Sequence, residues 1–259
     1  MPELPEVETL CRQLRQVVLG RPILSLEIFD RKLGPGINPA GRRVTDIRRV
    51  GKGIDITLTG GLALKIHLRM SGRLYWQEQY HIILPHTRFV MTFPHGIISC
   101  VDPRRFATLS LVTVDLKSTL VDDSLLGFNP IKLWNAAKRR RLPIKSFLMD
   151  QRIIGGVGNI YACEILHEAT IDPQRGADTL SPAEWRRLGK FTLNVLRRAI
   201  ACRGTTLSDW RDLFGRKGEY QACLKVYGHE DQACPRCGSN IRRETLQGRG
   251  TYFCPSCQR

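Results

Sequence analysis

The sequence lacks an apolar run long enough to span a membrane, and its first residues lack the basic-then-apolar pattern of a secretory leader. It also lacks a disulfide pattern, since the 9 cysteines are an odd number and five of them stand singly among apolar residues. We therefore expect a soluble cytoplasmic protein without a membrane partner. Acidic residues are scarce as well: 24 Asp and Glu face 40 Lys and Arg, for a formal net charge of +16.

The excess of positive charge predicts a polyanionic partner. Basic residues cluster at 138–141, 186–187, 197–198 and 242–243. A membrane surface is a poorer match because the chain has no strongly amphipathic basic helix. A basic run by itself is typical of a solvated surface, so the nucleic-acid interpretation depends on the motifs that accompany it.

Four cysteines near the end of the chain form two C-x2-C pairs sixteen residues apart: Cys234, Cys237, Cys254 and Cys257. This spacing is typical of a tetrahedral zinc site, because each pair presents two thiolates to one metal from a tight turn. We predict one structural zinc ion, since four cysteine ligands leave no coordination position for water or substrate. A zinc ribbon in a strongly basic chain favours binding to nucleic acid.

The chain begins Met-Pro-Glu-Leu-Pro-Glu, so removal of Met1 leaves Pro2 as a free secondary amine close to Glu3 and Glu6. An α-amino group titrates near neutral pH and is therefore partly unprotonated and nucleophilic. A secondary amine forms an iminium ion with a carbonyl carbon, and two neighbouring carboxylates supply a general acid and base. An extended arm stiffened by its prolines is the alternative interpretation. While Met1 is retained, the Pro2 nitrogen is an amide and not a nucleophile.

Hydrophobic periodicity divides the chain into two halves. In the first half, helical spacing at 4–18 precedes short alternating runs at 23–29, 54–58, 62–68, 89–93 and 109–112. These runs, with Gly60, Gly61 and Gly96 at hairpin positions, predict an antiparallel sandwich or barrel. After about residue 115, helical spacing appears at 144–149, 159–167, 182–202 and 207–213.

Two helix starts are marked in the second half. Ser181, Pro182 and Glu184 occupy the positions of a cap, a first-turn proline and a capping-box acid. A glycine-rich turn at 155–158 opens onto a helix at Asn159, where backbone amides can approach phosphate. This turn lacks the lysine and hydroxyl of a nucleotide-binding loop, so we expect no nucleotide cofactor.

Together these motifs resemble those of the formamidopyrimidine-DNA glycosylases, a bacterial base-excision family that includes endonuclease VIII. The matching segments are 2–9, 148–151 with 155–161, and 234–258, in this order along nearly the whole chain. The resemblance implies an α+β fold: an N-terminal antiparallel β-sandwich with a leading helix, a C-terminal helical helix-two-turns-helix domain, and a zinc β-hairpin. We predict a catalytic domain at 1–115, a linker at 116–137, a helix-two-turns-helix domain at 138–230 and a zinc finger at 231–259.

The resemblance implies a bifunctional DNA glycosylase and abasic-site lyase that removes 8-oxoguanine and formamidopyrimidines from duplex DNA. Pro2 would attack the sugar C1′ and form a Schiff base, Glu3 would assist base loss and ring opening, and Glu6 would position the amine and the sugar. Lys52 matches a lysine that contacts phosphate and is assigned to β-elimination. Arg249 matches an arginine tied to phosphate binding and δ-elimination.

The resemblance further implies three residues that fill the gap left by a flipped nucleotide. Met70 would insert into the stack, Arg104 would read the orphaned cytosine and Phe106 would wedge the bases. Spacing alone predicts that Met70 and Phe106 are core residues of adjacent strands. Additional DNA contacts are implied for His86, Arg140, Lys145 and Asn159. The segment 215–219 corresponds to a lesion-capping loop, and a plain flexible linker matches its composition equally well.

Two alternatives stay open: an endonuclease VIII-like enzyme for oxidised pyrimidines, and a non-catalytic paralogue that binds damaged DNA. Two other classes of protein do not match the sequence. A tautomerase with a proline amine would be a smaller subunit without zinc, and a zinc-ribbon transcription factor would lack the N-terminal motif. Ala107 departs from the family, in which glycine usually follows Arg-Phe. We expect a monomer that binds damaged double-stranded DNA and works at the bacterial nucleoid.

Overall fold

The computed structural model describes residues 1–34, 36–78, 82–114, 122–125, 127–138 and 140–259. Arg139 of the first basic cluster and the predicted boundary at 115/116 lie outside the described residues. The chain divides into two compact units: Met1–Thr119 with Cys202–Gln221, and Leu120–Ala201 with Ala222–Arg259. Among the described helices, none combines the length and apolar character needed to cross a membrane.

The first unit contains one long helix and two antiparallel sheets. Its elements are α1 (Leu4–Val18), β1 (Ser25–Ile28), β2 (Val44–Val50), β3 (Gly53–Leu58), β4 (Leu62–His67), β5 (Arg73–Gln77), β6 (Thr87–Phe93), β7 (Gly96–Val101) and β8 (Thr108–Thr113). One sheet has the order β2-β3-β4-β8 and the other the order β1-β6-β7-β5. The prediction of an antiparallel β-sandwich with a leading helix is therefore confirmed.

The strands form where alternation lets one face of each sheet be buried. In β3, for example, Ile54, Ile56 and Leu58 are buried, and the residues between them are half-buried. The inner faces of both sheets and the apolar stripe of α1 share one hydrophobic core. Gly60 and Gly61 turn the chain from β3 to β4 with φ angles of 80° and 69°, as the sequence predicts.

The segment 202–221 returns to the first unit after a long excursion of the chain. The Gln13 side chain on α1 donates to Asp212 Oδ2 at 2.8 Å and accepts from the Leu213 N–H at 2.9 Å. Trp210 and Leu213 are buried in the same core as α1. The helix predicted at 207–213 is wrong, because this segment is irregular and buries its apolar side chains through turns.

The second unit is mainly helical. Its elements are β9 (Asp122–Asp123), α2 (Pro130–Ala137), α3 (Ile144–Met149), β10 (Ile154–Gly155), α4 (Asn159–Glu168), α5 (Pro182–Ala201), β11 (Arg242–Leu246) and β12 (Arg249–Phe253). Turns connect α3 to α4, and β11 pairs with β12 in an antiparallel hairpin. These elements confirm the predicted helix-two-turns-helix domain and zinc hairpin. Helix α2 lies within the segment predicted as a linker.

Local signals place the helices of the second unit. The Ser181 N–H donates to Glu184 Oε2 at 2.8 Å and the Glu184 N–H donates to Ser181 Oγ at 3.3 Å, which forms the predicted capping box at the start of α5. Trp185 of α5 is fully buried and packs edge-on against Phe147 of α3, with 5.4 Å between the ring centroids. Capping therefore fixes where α5 begins, and aromatic packing fixes which face turns inward.

Candidate active site and zinc centre

Pro2 is buried two residues before α1, and the two carboxylates predicted to work with it belong to the N-cap and the first turn of that helix. The Glu3 N–H donates to Glu6 Oε2 at 2.8 Å, and the Glu3 side chain accepts from the Glu6 N–H. Glu3 and Glu6 are buried although both carry carboxylates. The reciprocal bonds satisfy first-turn N–H groups and fix both carboxylates beside the proline.

The second oxygen of Glu6 binds the segment that returns from the far end of α5. Glu6 Oε1 accepts from the Thr205 N–H at 2.7 Å. Gly204 has a φ of +79°, and a Cβ built there would lie 2.5 Å from Glu6 Oε1, so this position requires glycine. Sequence reasoning did not identify this contact, because nothing local connects a glycine after α5 with a glutamate of α1.

The segment 215–219, predicted as a lesion-capping loop or a linker, is bonded to residues 202–206. The Gly218 N–H donates to Thr206 Oγ1 at 2.9 Å, and the Glu219 N–H donates to the Cys202 carbonyl at 2.8 Å. A Cβ at Gly218 would overlap the Gly204 carbonyl oxygen. The segment therefore buttresses the glycine that contacts Glu6.

Lys52 lies in the turn between β2 and β3 and is 9% exposed. Gly53 pairs with His67 across β3 and β4, which brings a histidine that sequence reasoning missed near this turn. Burial, then the positive charges of Arg69 and Lys52, lower the pKa of His67 to about 4. Its Nδ1 accepts from the Arg69 N–H at 3.0 Å, so the neutral ring carries its hydrogen on Nε2.

The three predicted gap-filling residues lie on two turns of the first unit. Met70 follows β4 and is 47% exposed, and Phe106 lies between β7 and β8 and is 51% exposed. The Arg104 guanidinium lies 5.1 Å from the centroid of the Phe106 ring. The prediction from spacing alone, that Met70 and Phe106 are core residues, is therefore wrong.

His86 is exposed and has a φ of +65° at the start of β6. It borders a small cavity together with five other residues: Phe29, Asp30, Thr87, Arg88 and Arg105. A hydrogen bond from Arg105, with burial opposing it, holds the pKa of Asp30 well below its usual range. The Asp30 carboxylate in this cavity is thus charged and hydrogen-bonded to Arg105.

In the second unit, Lys145 and Asn159 converge on the zinc hairpin. Lys145 is 1% exposed, and its Nζ donates to Thr251 Oγ1 at 2.7 Å and to the Gly250 carbonyl at 3.1 Å. Asn159 Nδ2 donates to the same carbonyl at 3.0 Å. Arg249, the preceding residue, is exposed. Two predicted DNA-contact residues therefore hold the backbone beside the predicted δ-elimination arginine.

A buried glutamate organises the turn that carries Tyr227, which the sequence analysis did not single out as a site residue. Glu164 is 1% exposed and accepts three backbone N–H groups, from Lys225, Val226 and Tyr227, at 2.9–3.0 Å. Tyr227 packs against Tyr252 of the hairpin, with 4.8 Å between ring centroids. Its hydroxyl lies 3.4 Å from Asn159 Nδ2. These residues are distant in the sequence and come into contact only in the folded chain.

The four predicted metal ligands form one cluster, in which all Sγ atoms lie within 4.8 Å of one another. The Sγ atoms of Cys234 and Cys257 are 3.9 Å apart, and those of Cys237 and Cys254 are 3.5 Å apart. A tetrahedron with Zn–S bonds of about 2.3 Å has edges of about 3.8 Å, so the sulfur positions match zinc. The residues therefore fit a closed structural site.

Several residues of the predicted basic clusters are already paired with acids. Arg187 lies 3.9 Å from Glu184, Arg198 lies 3.5 Å from Glu168, and Arg243 lies 3.8 Å from Glu230; these are nitrogen–oxygen distances. Arg140 likewise lies 3.5 Å from Asp150. The arginine side chains of these pairs are 42–50% exposed and stay accessible to a phosphate, whereas the carboxylates of Glu184, Glu168 and Asp150 are only 12–18% exposed.

Family models match three consecutive parts of the chain. They are the formamidopyrimidine-DNA glycosylase N-terminal domain at 1–109, the formamidopyrimidine-DNA glycosylase H2TH domain at 121–210, and a zinc finger found in FPG and IleRS at 231–259. A formamidopyrimidine-DNA glycosylase from Pelotomaculum thermopropionicum is 37% identical over 274 residues, covering 100% of this chain and 99% of the relative. One from Exiguobacterium sp. is 39% identical with the same coverage.

Solved structures resemble the chain over its full length. A Lactococcus lactis FPG mutant in complex with Fapy-dG containing DNA has a TM-score of 0.92 at 29% identity, covering 100% of both chains. The complex of Lactococcus lactis FPG with abasic-site DNA has a TM-score of 0.91 at 30% identity, covering 99% of both. The MutM (FPG) protein of Thermus thermophilus has a TM-score of 0.88 at 37% identity, covering 99% of this chain and 98% of that one.

Proposed function

The chain belongs to the formamidopyrimidine-DNA glycosylase family, and we propose that it cuts damaged DNA through a Schiff base on Pro2. The protein is a base-excision repair glycosylase with lyase activity that acts on oxidised purines in double-stranded DNA. The observation that best supports the proposed chemistry is the placement of Pro2 beside two buried carboxylates that are fixed by the first turn of α1.

In the proposed reaction, Met1 is first removed and the Pro2 nitrogen bonds to the sugar C1′ of the damaged nucleoside. The glycosidic bond breaks, and the base leaves with a proton. Glu3 donates a proton to the sugar ring oxygen as the ring opens to the iminium ion. Glu6, held by Thr205 on one oxygen and by Glu3 on the other, orients the amine.

Strand cleavage follows by two eliminations. Lys52 assists removal of a C2′ proton, which expels the 3′ phosphate oxygen, and a second proton loss expels the 5′ phosphate. We assign Arg249 to binding phosphate during the second elimination, because a guanidinium can hold two phosphate oxygens. Lys145 acts through the hairpin, since its ammonium binds Gly250 and Thr251. Asn159 and Arg140 contact the DNA backbone.

Oxidised purines opposite cytosine are the proposed substrates, in preference to oxidised pyrimidines. Met70, Arg104 and Phe106 provide an exposed insertion set of the kind expected for purine lesions. His86, on the neighbouring turn, contacts a DNA phosphate. The segment 215–219 covers the flipped base. These roles rest on the family resemblance together with the exposure of the side chains.

Zinc is held by the four cysteines and supplies no chemistry to the reaction, since the site is closed. Its function is to fold the hairpin that carries Arg249. We propose that the enzyme works as a monomer in the cytoplasm, at the nucleoid, where its DNA substrate is found. We also propose the domain boundaries expected from the sequence: a catalytic domain at 1–115, a linker at 116–137, a helix-two-turns-helix domain at 138–230 and a zinc finger at 231–259.

The test is borohydride trapping on duplexes that carry 8-oxoguanine opposite cytosine or thymine glycol opposite adenine. Mass spectrometry first establishes that Pro2 is the N-terminus. We expect an adduct on Pro2 with the 8-oxoguanine duplex. Its yield should fall in Pro2→Gly, whose N-terminal amine is primary, and stay unchanged in Pro5→Ala, which alters a neighbouring proline that has no free amine. An adduct with thymine glycol alone would assign the endonuclease VIII activity. No adduct on either duplex would favour the damage-binding paralogue.

A further inference from the structure

The residues proposed to fill the gap in DNA sit on two separate connections between the sheets. Met70 lies between β4 and β5, while Arg104 and Phe106 lie between β7 and β8. Each connection crosses from one sheet of the sandwich to the other. The two turns are far apart in the sequence, so the sequence alone does not show whether they are held together.

One buried carboxylate binds both turns. Asp102 is 0% exposed. Its Oδ1 accepts from Ser71 Oγ at 2.5 Å and from the Arg104 N–H at 3.2 Å. Its Oδ2 accepts from the N–H groups of Phe106 and Ala107, both at 2.7 Å. The carboxylate thus binds the residue next to Met70 on one side and the backbone of Arg104 and Phe106 on the other.

Packing beneath the carboxylate holds the same two turns in contact. A Cβ built at Gly72 would lie 3.1 Å from the Ala107 methyl and 2.5 Å from the Leu68 carbonyl oxygen. Ala107 belongs to the turn that carries Arg104 and Phe106. Its methyl group therefore fills the space between the turns, and the absence of a side chain at Gly72 makes the approach possible.

A buried arginine supports the network from the sheet side. Arg88 is 2% exposed and donates through Nη1 to the Ala107 carbonyl at 2.6 Å. Its Nη1 also lies 3.4 Å from Asp102 Oδ2. Burial acts to raise the pKa of Asp102, but the hydrogen bonds from Ala107, Ser71 and Phe106 outweigh it and lower the pKa. The carboxylate is therefore charged, and its hydrogen bonds are the strong, charge-assisted kind.

We propose that Asp102 is a positioning residue that joins the two turns, so that Met70, Arg104 and Phe106 enter the DNA stack as one preassembled unit. Their side chains are exposed, while the buried charge holds the backbone N–H groups of Arg104 and Phe106 and the hydroxyl of the serine that follows Met70. Such preorganisation lowers the cost of ordering these side chains when they replace a flipped nucleotide. The inference rests on the proposed function, because it concerns how the gap-filling residues act.

The test compares a duplex substrate, in which a flipped nucleotide leaves a gap between stacked base pairs, with a single-stranded substrate, in which there is no such gap. Ser71→Ala cuts the link between the turns and leaves every proposed catalytic and inserted side chain in place. Ser99→Ala is the matched control, because the Ser99 hydroxyl is buried on β7 and has no hydrogen-bond partner among the described residues. Single-turnover excision is measured on 8-oxoguanine opposite cytosine in duplex DNA. Cleavage is measured on an abasic site in single-stranded DNA.

We expect Ser71→Ala to slow duplex excision about tenfold and to change single-strand cleavage by less than about twofold, while Ser99→Ala changes neither. Tenfold corresponds to about 1.4 kcal/mol, just below the range for one hydrogen bond to a charged group. Asp102→Asn, which weakens both links, should slow duplex excision more and reduce the preference for cytosine over adenine opposite the lesion.

Two results would overturn the proposal. If Ser71→Ala matches Ser99→Ala on both substrates, the turns act independently. If Ser71→Ala lowers duplex and single-strand rates equally, the contact only stabilises the fold. A failure of the proposed function has a different signature, since the unaltered protein would then cleave neither substrate. Should Asp102→Asn fail to fold, the serine pair still decides the question.

Discussion

The contact between Glu6 and the returning segment 202–221 leads to a quantitative prediction for Glu6→Gln. The carboxylate accepts the Glu3 N–H at 2.8 Å and the Thr205 N–H at 2.7 Å, and it is 2% exposed. A glutamine amide has one oxygen, so it can accept only one of the two bonds and turns an NH2 group toward the other donor.

The expected loss follows from these two bonds. A buried donor left unsatisfied costs about 1–3 kcal/mol, and the remaining bond loses its charge assistance, worth about 1 kcal/mol more. We expect the first unit to be destabilised by about 3 kcal/mol, which lowers its Tm by roughly 6–12 °C. The excision rate should fall too, because the amine of Pro2 loses its oriented neighbour.

The measurement is thermal unfolding combined with hydrogen exchange followed by mass spectrometry. Peptides from 4–18 and from 202–221 should lose protection together, while peptides from α4 in the second unit keep theirs. Glu27→Gln, the same change at an exposed position of β1, is the control and should shift Tm by less than about 2 °C. Equal shifts for Glu6→Gln and Glu27→Gln would contradict this prediction, and so would a loss of protection at 4–18 without one at 202–221.

Three further outcomes are expected. Removing zinc should unfold the hairpin and weaken DNA binding, because structural zinc contributes on the order of 10 kcal/mol; unchanged binding after measured zinc release would refute this. Lys145→Met should lower the ratio of δ- to β-elimination products by loosening Arg249, with no change in the salt dependence of DNA affinity; a direct phosphate contact would instead reduce that slope by about 1. Burial acts to raise the pKa of Glu184, but hydrogen bonds from Arg175 and Ser181 lower it from 4.5 to about 2. The charged Glu184 therefore stabilises the fold fully above pH 4.5, and this contribution is lost as the pH falls toward 2. Acid titration followed by circular dichroism should show that Glu184→Gln loses less stability than the unaltered protein over that interval. Equal slopes in the two proteins would contradict the prediction.

Sequence patterns predicted those features that depend on neighbours in the chain. The paired cysteines, the cap at Ser181 and the glycine turn at 60–61 each act within a few residues, so they are readable before folding. Strand β2 was not predicted because a register shift between Val44 and Asp46 breaks its alternation.

The site was only partly predictable for the same reason. Motif matching named Pro2, Glu3 and Glu6, but it did not reveal the Thr205 bond that fixes the last of these across 199 positions of sequence. It also named Met70 and Phe106 without Asp102, since hydrogen bonding to a buried carboxylate leaves no periodic pattern.

The sequence by itself determined the zinc ligands, the charge, the family, and those strands and helices whose apolar periodicity is regular. Only the tertiary structure decided that 207–213 joins the first core instead of forming a helix, that Met70 and Phe106 face outward, and that Lys145 binds the hairpin. The physical reason is the distance along the chain over which each feature is determined. Periodicity, capping and metal-ligand spacing are set by local backbone geometry, whereas burial and hydrogen-bond partners depend on which distant segments the packed core brings together.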